Sequence, residues 1–259
     1  MSSYPNPSPR TLSASHRRML FGDSAIDPGV AEERGVRTIE HGRQLPAGFS
    51  PRQKRLGPGL LFTVHRPNGE TAHSFRPDTP DKPGRKYEQP SKRCGGPGNV
   101  LDIHPSLRHL VADTSVPVIY VEGIKKADAI TTAARRAGAR VLVVAISGVW
   151  NFLSDGEPIP DMLAVPVKGR EVSIVFDSDV LTNPGVQGAA MRLAETEISR
   201  GAEVRIAFLP DAPDGSKVGA VELAPLCDVS EVDLLITGAS ADPAAVAALR
   251  ERGLQVLLA

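Results

Sequence analysis

The chain has 259 residues, equal numbers of basic and acidic side chains and 41% hydrophobic residues, enough for one large globular domain or two small ones but without a globally basic surface. No apolar run approaches the ~20 residues of a membrane helix. Cys94 and Cys227 lie too far apart for a disulfide framework or a zinc-ligand spacing, and an aromatic content of 4% leaves few platforms for base stacking.

Residues 1–11 carry prolines at positions 5, 7 and 9 among small polar residues, the composition of a disordered tail. They lack the apolar core of a signal peptide, and with the cysteine usage this gives the expectation of a cytoplasmic protein. Residues 12–115 read as a small α+β region. Ser13 or Ser15 caps a short helix through residues 16–20. Asp27-Pro28 opens a second helix that Gly35 ends, with Pro28 in the first turn. Residues 59–66 and 71–76 alternate as two strands joined by Pro67-Asn68-Gly69-Glu70, an Asn-Gly hairpin signal. A loop dense in proline, glycine and basic residues follows over 77–97. From Arg43 to Arg93 eleven Lys/Arg stand against four acids. That segment is either a phosphate-contacting surface or a solvated, proline-rich one. Arg85, Lys86 and Tyr87 are its candidate phosphate contacts. His65, His73 and His104 stand alone and read as ordinary surface or core histidines.

From Val118 the pattern changes to alternating strand and helix. Residues 118–121 form a buried strand ending in Glu122-Gly123, and a helix over 125–137 stops at Gly138. A strand over 140–146 leads into the turn Ser147-Gly148-Val149-Trp150. Another, over 171–176, ends in Asp177-Ser178-Asp179. A helix over 184–200 and a strand over 203–209 complete the unit. This alternation predicts an α/β fold with a Rossmann-like parallel sheet flanked by helices. Trp150 and Phe152 are expected in its core, with base stacking as the alternative, and Asp128 on the solvated face of the helix.

In such sheets ligands bind at the carboxyl ends of the strands. Glu122, Asp177 and Asp179 are therefore expected at one rim, although more than fifty residues separate the first from the others. Residues i and i+2 of a strand face the same way, so Asp177 and Asp179 can address one ion. Three carboxylates repel one another unless a hard cation such as Mg²⁺ or Mn²⁺ lies among them. The alternative is that Asp177 and Asp179 cap the following turn and helix, and Glu122 the helix after it. Lys125, Lys126 and Lys217 are candidate phosphate contacts near the rim.

The Glu-Gly and later Asp-x-Asp resemble the TOPRIM fold of primases, topoisomerases and some nucleases. The wider set, Val121-Glu122-Gly123-Ile124-Lys125-Lys126-Ala127-Asp128, Ser147-Gly148-Val149-Trp150-Asn151-Phe152 and Phe176-Asp177-Ser178-Asp179-Val180, resembles the TOPRIM-like domain (DUF3854) of phage and plasmid primase-type replication proteins. That resemblance spans roughly residues 12–219 and makes residues 116–219 the TOPRIM-like domain. It implies a Mg²⁺-dependent role in DNA replication, by nucleotidyl transfer or phosphodiester chemistry. It casts Glu122 as general acid/base, Asp177 and Asp179 as metal ligands, and DNA, nucleotides and a replicative helicase as partners. The acidic pair expected after Lys217 is absent, and the chain has neither a P-loop nor a zinc-finger module. A non-catalytic nucleic-acid-binding module of the same fold is the alternative. The last ~45 residues resemble the C-terminus of DeoR-type sugar-responsive regulators, which raises a third possibility, a sugar-phosphate-sensing domain. At its physical minimum, the segment 220–259 is a strand–helix–strand extension of the sheet.

Overall fold

The computed structural model describes residues 12–82, 84–207, 234–237 and 255–258. The chain opens with helix α1 (Ala14–Arg17), whose Ser13 hydroxyl accepts the His16 N–H at 3.2 Å, and a π-turn over Arg18–Gly22 continues it. Helix α2 (Pro28–Arg34) begins at Asp27, whose carboxylate takes the Gly29 N–H at 2.8 Å. It ends at Gly35 with φ +76°, a conformation that favours glycine. Strand β1 (Arg37–Ile39), helix α3 (Pro51–Lys54), and strands β2 (Gly59–His65) and β3 (Thr71–Pro77) follow. β1, β2 and β3 form an antiparallel three-stranded sheet, with Asn68-Gly69 at the hairpin turn as expected.

The larger sheet starts with strand β4 (Leu101–Ile103), then β5 (Val118–Glu122), helix α4 (Ile124–Ala137) and β6 (Leu142–Ile146). A two-stranded flap, β7 (Leu153–Ser154) and β8 (Glu157–Pro158), precedes helix α5 (Pro160–Leu163). Strand β9 (Glu171–Val175), helix α6 (Pro184–Ser199) and β10 (Glu203–Ala207) complete the alternation, and β11 (Leu234–Thr237) and β12 (Gln255–Leu258) extend the sheet. The order is β12-β11-β10-β9-β5-β6-β4. The inner four strands, β10 to β6, are parallel, as the alternation predicts, and all five residues of β6 are buried. Antiparallel strands border this parallel core, β4 pairing with β6 and β11 with β10. Of the expected strand–helix–strand tail, the two strands are described. Lys217 and most of the segment expected to resemble the sugar-responsive regulators lie outside the described residues.

Two apolar clusters matter for the site. One fills both faces of the large sheet. The other joins Leu20, Val30, Leu60, Phe62 and Val64 of the N-terminal part to Ile124 and Ala129 of α4. Beside it lies a buried ionic cluster. Arg34, fully buried, donates from Nε to both oxygens of Asp128 at 3.1 Å and from Nη1 to Asp102. Asp128 is thus 1% exposed rather than solvated, because its partner arrives from 94 positions earlier in the chain. Burial would lower the Arg34 pKa, but the two carboxylates outweigh it and raise it. Burial pushes both aspartates up against the pull of Arg34, since one guanidinium faces two acids.

Candidate nucleic-acid and phosphate cleft

Neighbouring parallel strands bring the acidic positions together. Val121 of β5 pairs with Val175 of β9, so Glu122 and Asp177 emerge side by side at the carboxyl edge. Gly123, at φ +87°, turns the chain from β5 into α4 immediately after Glu122. One turn into that helix, Lys126 reaches back to the rim. Its Nζ lies 3.8 Å from Glu122 Oε2 and pairs directly with Asp177 Oδ1. Asp177 is 7% exposed. Asp179 sits on the 3₁₀ turn Ser178–Leu181, with its Oδ1 buried.

Asp177 occupies the N-cap position of the turn that carries Asp179. Gly123, not Glu122, is the N-cap of α4, and the Asp177 side chain makes no cap bond to the turn it precedes. Asn183 caps α6 instead, taking the Gly185 N–H at 3.0 Å.

Mg²⁺ or Mn²⁺ would require converging hard oxygen donors. Glu122 and Asp177 have that chemistry and share one cationic neighbour. Yet among the described residues no group of three or more His, Cys, Asp or Glu side chains could hold a metal ion, and the cation between the two carboxylates is the Lys126 ammonium.

Above the rim lies a cleft of about 620 Å³ between the hairpin sheet and the large sheet. Arg76, Arg85, Lys86, Lys125 and Lys126 line it, with Glu122 and Asp177 among the lining acids. The sequence-predicted Arg85, Lys86, Lys125 and Lys126 are thus brought together. Arg76 was not foreseen. Its signal lies in the period-two alternation of β3: Ser74 and Arg76 line the cleft, while Phe75 between them packs in the small core with Phe49. Lys125 is half-buried and donates to Ser24 Oγ at 2.9 Å. Burial lowers its pKa, and Arg76, Lys86 and Lys126 lower it further, the signature of crowded positive charge. Tyr87, on the same loop, is pushed up to about 12 by burial, with Arg76 pulling the other way.

Arg85, Tyr87 and Ser147 also line a second cleft of about 490 Å³, which continues past Gln89, Lys92 and Asn151. Buried Glu88 braces the wall between the two, taking Nε of Arg85 at 3.2 Å, the Arg52 fork and Gln53 Nε2 at 2.9 Å. The turn 147–151 borders both clefts. On it the expectation of a core pair holds for only one residue. Phe152 is fully buried, but Trp150 is 45% exposed.

A parallel sheet with an acidic carboxyl edge, fronted by a basic hairpin and loop, is a TOPRIM-type fold of the kind found in primase catalytic cores. Residues 107–218 match the family model described as "Domain of unknown function (DUF3854)". No curated protein matches the chain. Among solved structures, the zinc-binding and RNA polymerase domains of the Aquifex aeolicus primase share the fold at a TM-score of 0.57 and 18% identity, over 82% of this chain; the chain spans 53% of that structure. The RNA polymerase domain of Mycobacterium tuberculosis primase DnaG matches at 0.52 and 17% identity, over 94% of this chain and 78% of that one. A DnaG primase catalytic domain bound to ssDNA matches at 0.53 and 15%, over 96% and 78%. No described helix is long and apolar enough to cross a membrane.

Proposed function

We propose that this chain is a nucleic-acid-binding module of a primase-type DNA replication protein of phage or plasmid kind, and that the cleft over Glu122 and Asp177 holds phosphates of a strand or nucleotide. One observation carries the reading: five cations, Arg76 from β3, Arg85 and Lys86 from the loop after it, and Lys125 and Lys126 from α4, line one cleft against two carboxylates, Glu122 and Asp177. Such an excess attracts a polyanion and fixes its phosphates by charge-assisted hydrogen bonds. The likeness to a primase domain solved with single-stranded DNA supports the same ligand class.

The test is fluorescence anisotropy with a labelled single-stranded oligonucleotide. Arg76→Ala and Lys125→Ala should each weaken binding by roughly three- to tenfold. Each lost phosphate contact should flatten the log–log salt dependence by about 0.7. Unchanged affinity in both variants would move the site elsewhere.

Nucleotidyl transfer is the second reading, favoured by the adjacency of Glu122 and Asp177. Here Glu122 takes the proton of the attacking hydroxyl as its oxygen bonds to the α-phosphorus and pyrophosphate leaves, while the surrounding cations hold phosphate oxygens. Lys126 competes with a divalent ion for the same two carboxylates. Lys126→Gln should therefore tighten Mn²⁺ binding, measured calorimetrically, by about tenfold. Template-directed nucleotide incorporation by the wild type, lost in Glu122→Gln, would establish transfer; its absence with intact strand binding leaves the binding module.

A further inference from the structure

We propose that Trp150 is a stacking platform for an unpaired nucleobase of the strand whose phosphates occupy the cleft. This rests on reading that cleft as a nucleic-acid site, and it adds what the cations cannot supply, recognition of the bases themselves.

Trp150 is the chain's one tryptophan and is 45% exposed. Single exposed apolar side chains are ordinary on protein surfaces. This one differs in three respects. First, it is backed: its ring stacks on Phe152 at 15° between planes and 6.4 Å between centroids, and Phe152 is fully buried. Gly188 of α6 leaves room beneath the indole; even a methyl there would lie 3.6 Å from it. Second, its turn is pinned. The Asn151 side-chain amide donates to the Ser147 carbonyl, the Asn151 N–H to Gly148 O at 2.8 Å, and the Leu153 N–H to Trp150 O at 3.1 Å. A fixed, flat apolar surface loses little conformational freedom when a base settles on it. Third, the turn stands between two polar clefts. Ser147 and Gly148 line the first, Ser147 and Asn151 the second, and Trp150 lies on the same turn, outside both linings. A strand held by Arg85 and its neighbours passes this turn with its bases unpaired, and stacking on an aromatic face tolerates any base.

The test compares a labelled oligo(dT) with an abasic sugar-phosphate strand of equal length, on the full chain. In the wild type the base-bearing strand should bind at least fivefold tighter. Trp150→Ala should erase that preference and leave the abasic affinity unchanged, whereas Trp150→Phe should restore part of it. Because the chain has a single indole, its emission reports this position alone, and oligo(dT) but not the abasic strand should quench it. Equal wild-type affinity for both strands overturns the proposal while the phosphate cleft stands. So does unquenched emission, or a Trp150→Ala loss equal for both strands, and the indole then serves another partner such as a protein surface. If neither strand binds the wild type, the cleft reading fails and this proposal falls with it. Should Trp150→Ala not fold, the wild-type preference, the quenching and the phenylalanine variant decide.

Discussion

Lys126 and His104 show how single side chains decide the behaviour of their surroundings. Lys126 offsets one of the two negative charges on a pair of adjacent carboxylates without an added ion, which is why the rim is chemically ready for a cation and yet already holds one. His104 works by staying neutral. It is 1% exposed, its Nε2–H donates to Val30 O at 3.0 Å, and its Nδ1 accepts the Ser106 N–H at 3.3 Å. Burial first, then Arg34, lowers its pKa from 6.5 to about 4. Between those values the unfolded chain binds the proton and the folded one does not, so stability is complete above pH 6.5 and falls as the pH drops toward 4. The loss amounts to about 3 kcal/mol. Urea unfolding across that range should show His104→Gln flatter than wild type by about this amount; parallel curves would assign the acid sensitivity to other groups.

At the scale of elements, Arg34 is the rivet between α2, β4 and α4. It meets Asp102 on the edge strand and Asp128 on the helix that carries Lys125 and Lys126. Asp102 Oδ2 is buried without a hydrogen-bond partner among the described residues, so the cluster has no spare compensation. Arg34→Met should destabilise the protein by about 3–5 kcal/mol, because two carboxylates are then left buried without a counter-charge. For a chain of this size that is roughly a 10 °C fall in melting temperature. Converting Asp102 and Asp128 to leucine in the same variant should recover most of it, and a single-variant loss below about 1 kcal/mol would refute the account. Arg170 plays a related role without any acid. It is fully buried and donates to the carbonyls of Leu110, Val111, Val116 and Pro166, tying the 3₁₀ helix Pro105–Leu110 to the starts of β5 and β9.

Over the whole molecule, the family match at 107–218 does not coincide with a packing unit. Ile124 and Ala129 of α4 are covered by N-terminal residues, Asp128 is answered by Arg34, and Arg76, Arg85 and Lys86 supply one wall of the cleft. A fragment of 107–218 should therefore bind a hydrophobic dye, melt without a sharp transition and lose single-strand affinity; cooperative melting of that fragment would contradict this. The elements that sequence alone determined are those with local causes. Val and Ile runs made the inner parallel strands, Asn68-Gly69 made the hairpin, and Ser13, Asp27, Gly35 and Gly138 bounded helices through hydrogen bonds and backbone geometry within a few residues. The Glu-Gly and Asp-x-Asp rim was equally legible, because strand direction fixes which end a residue occupies. Three-residue β1 and β4 escaped notice because pairing across dozens of residues, not their own pattern, makes them strands. Tertiary structure alone buried Asp128, left Trp150 at the surface, put Arg76 in the cleft and set Lys126 between Glu122 and Asp177. Each of these depends on which distant group arrives opposite a side chain, and electrostatics and burial are decided by that neighbour rather than by the residue's place along the chain.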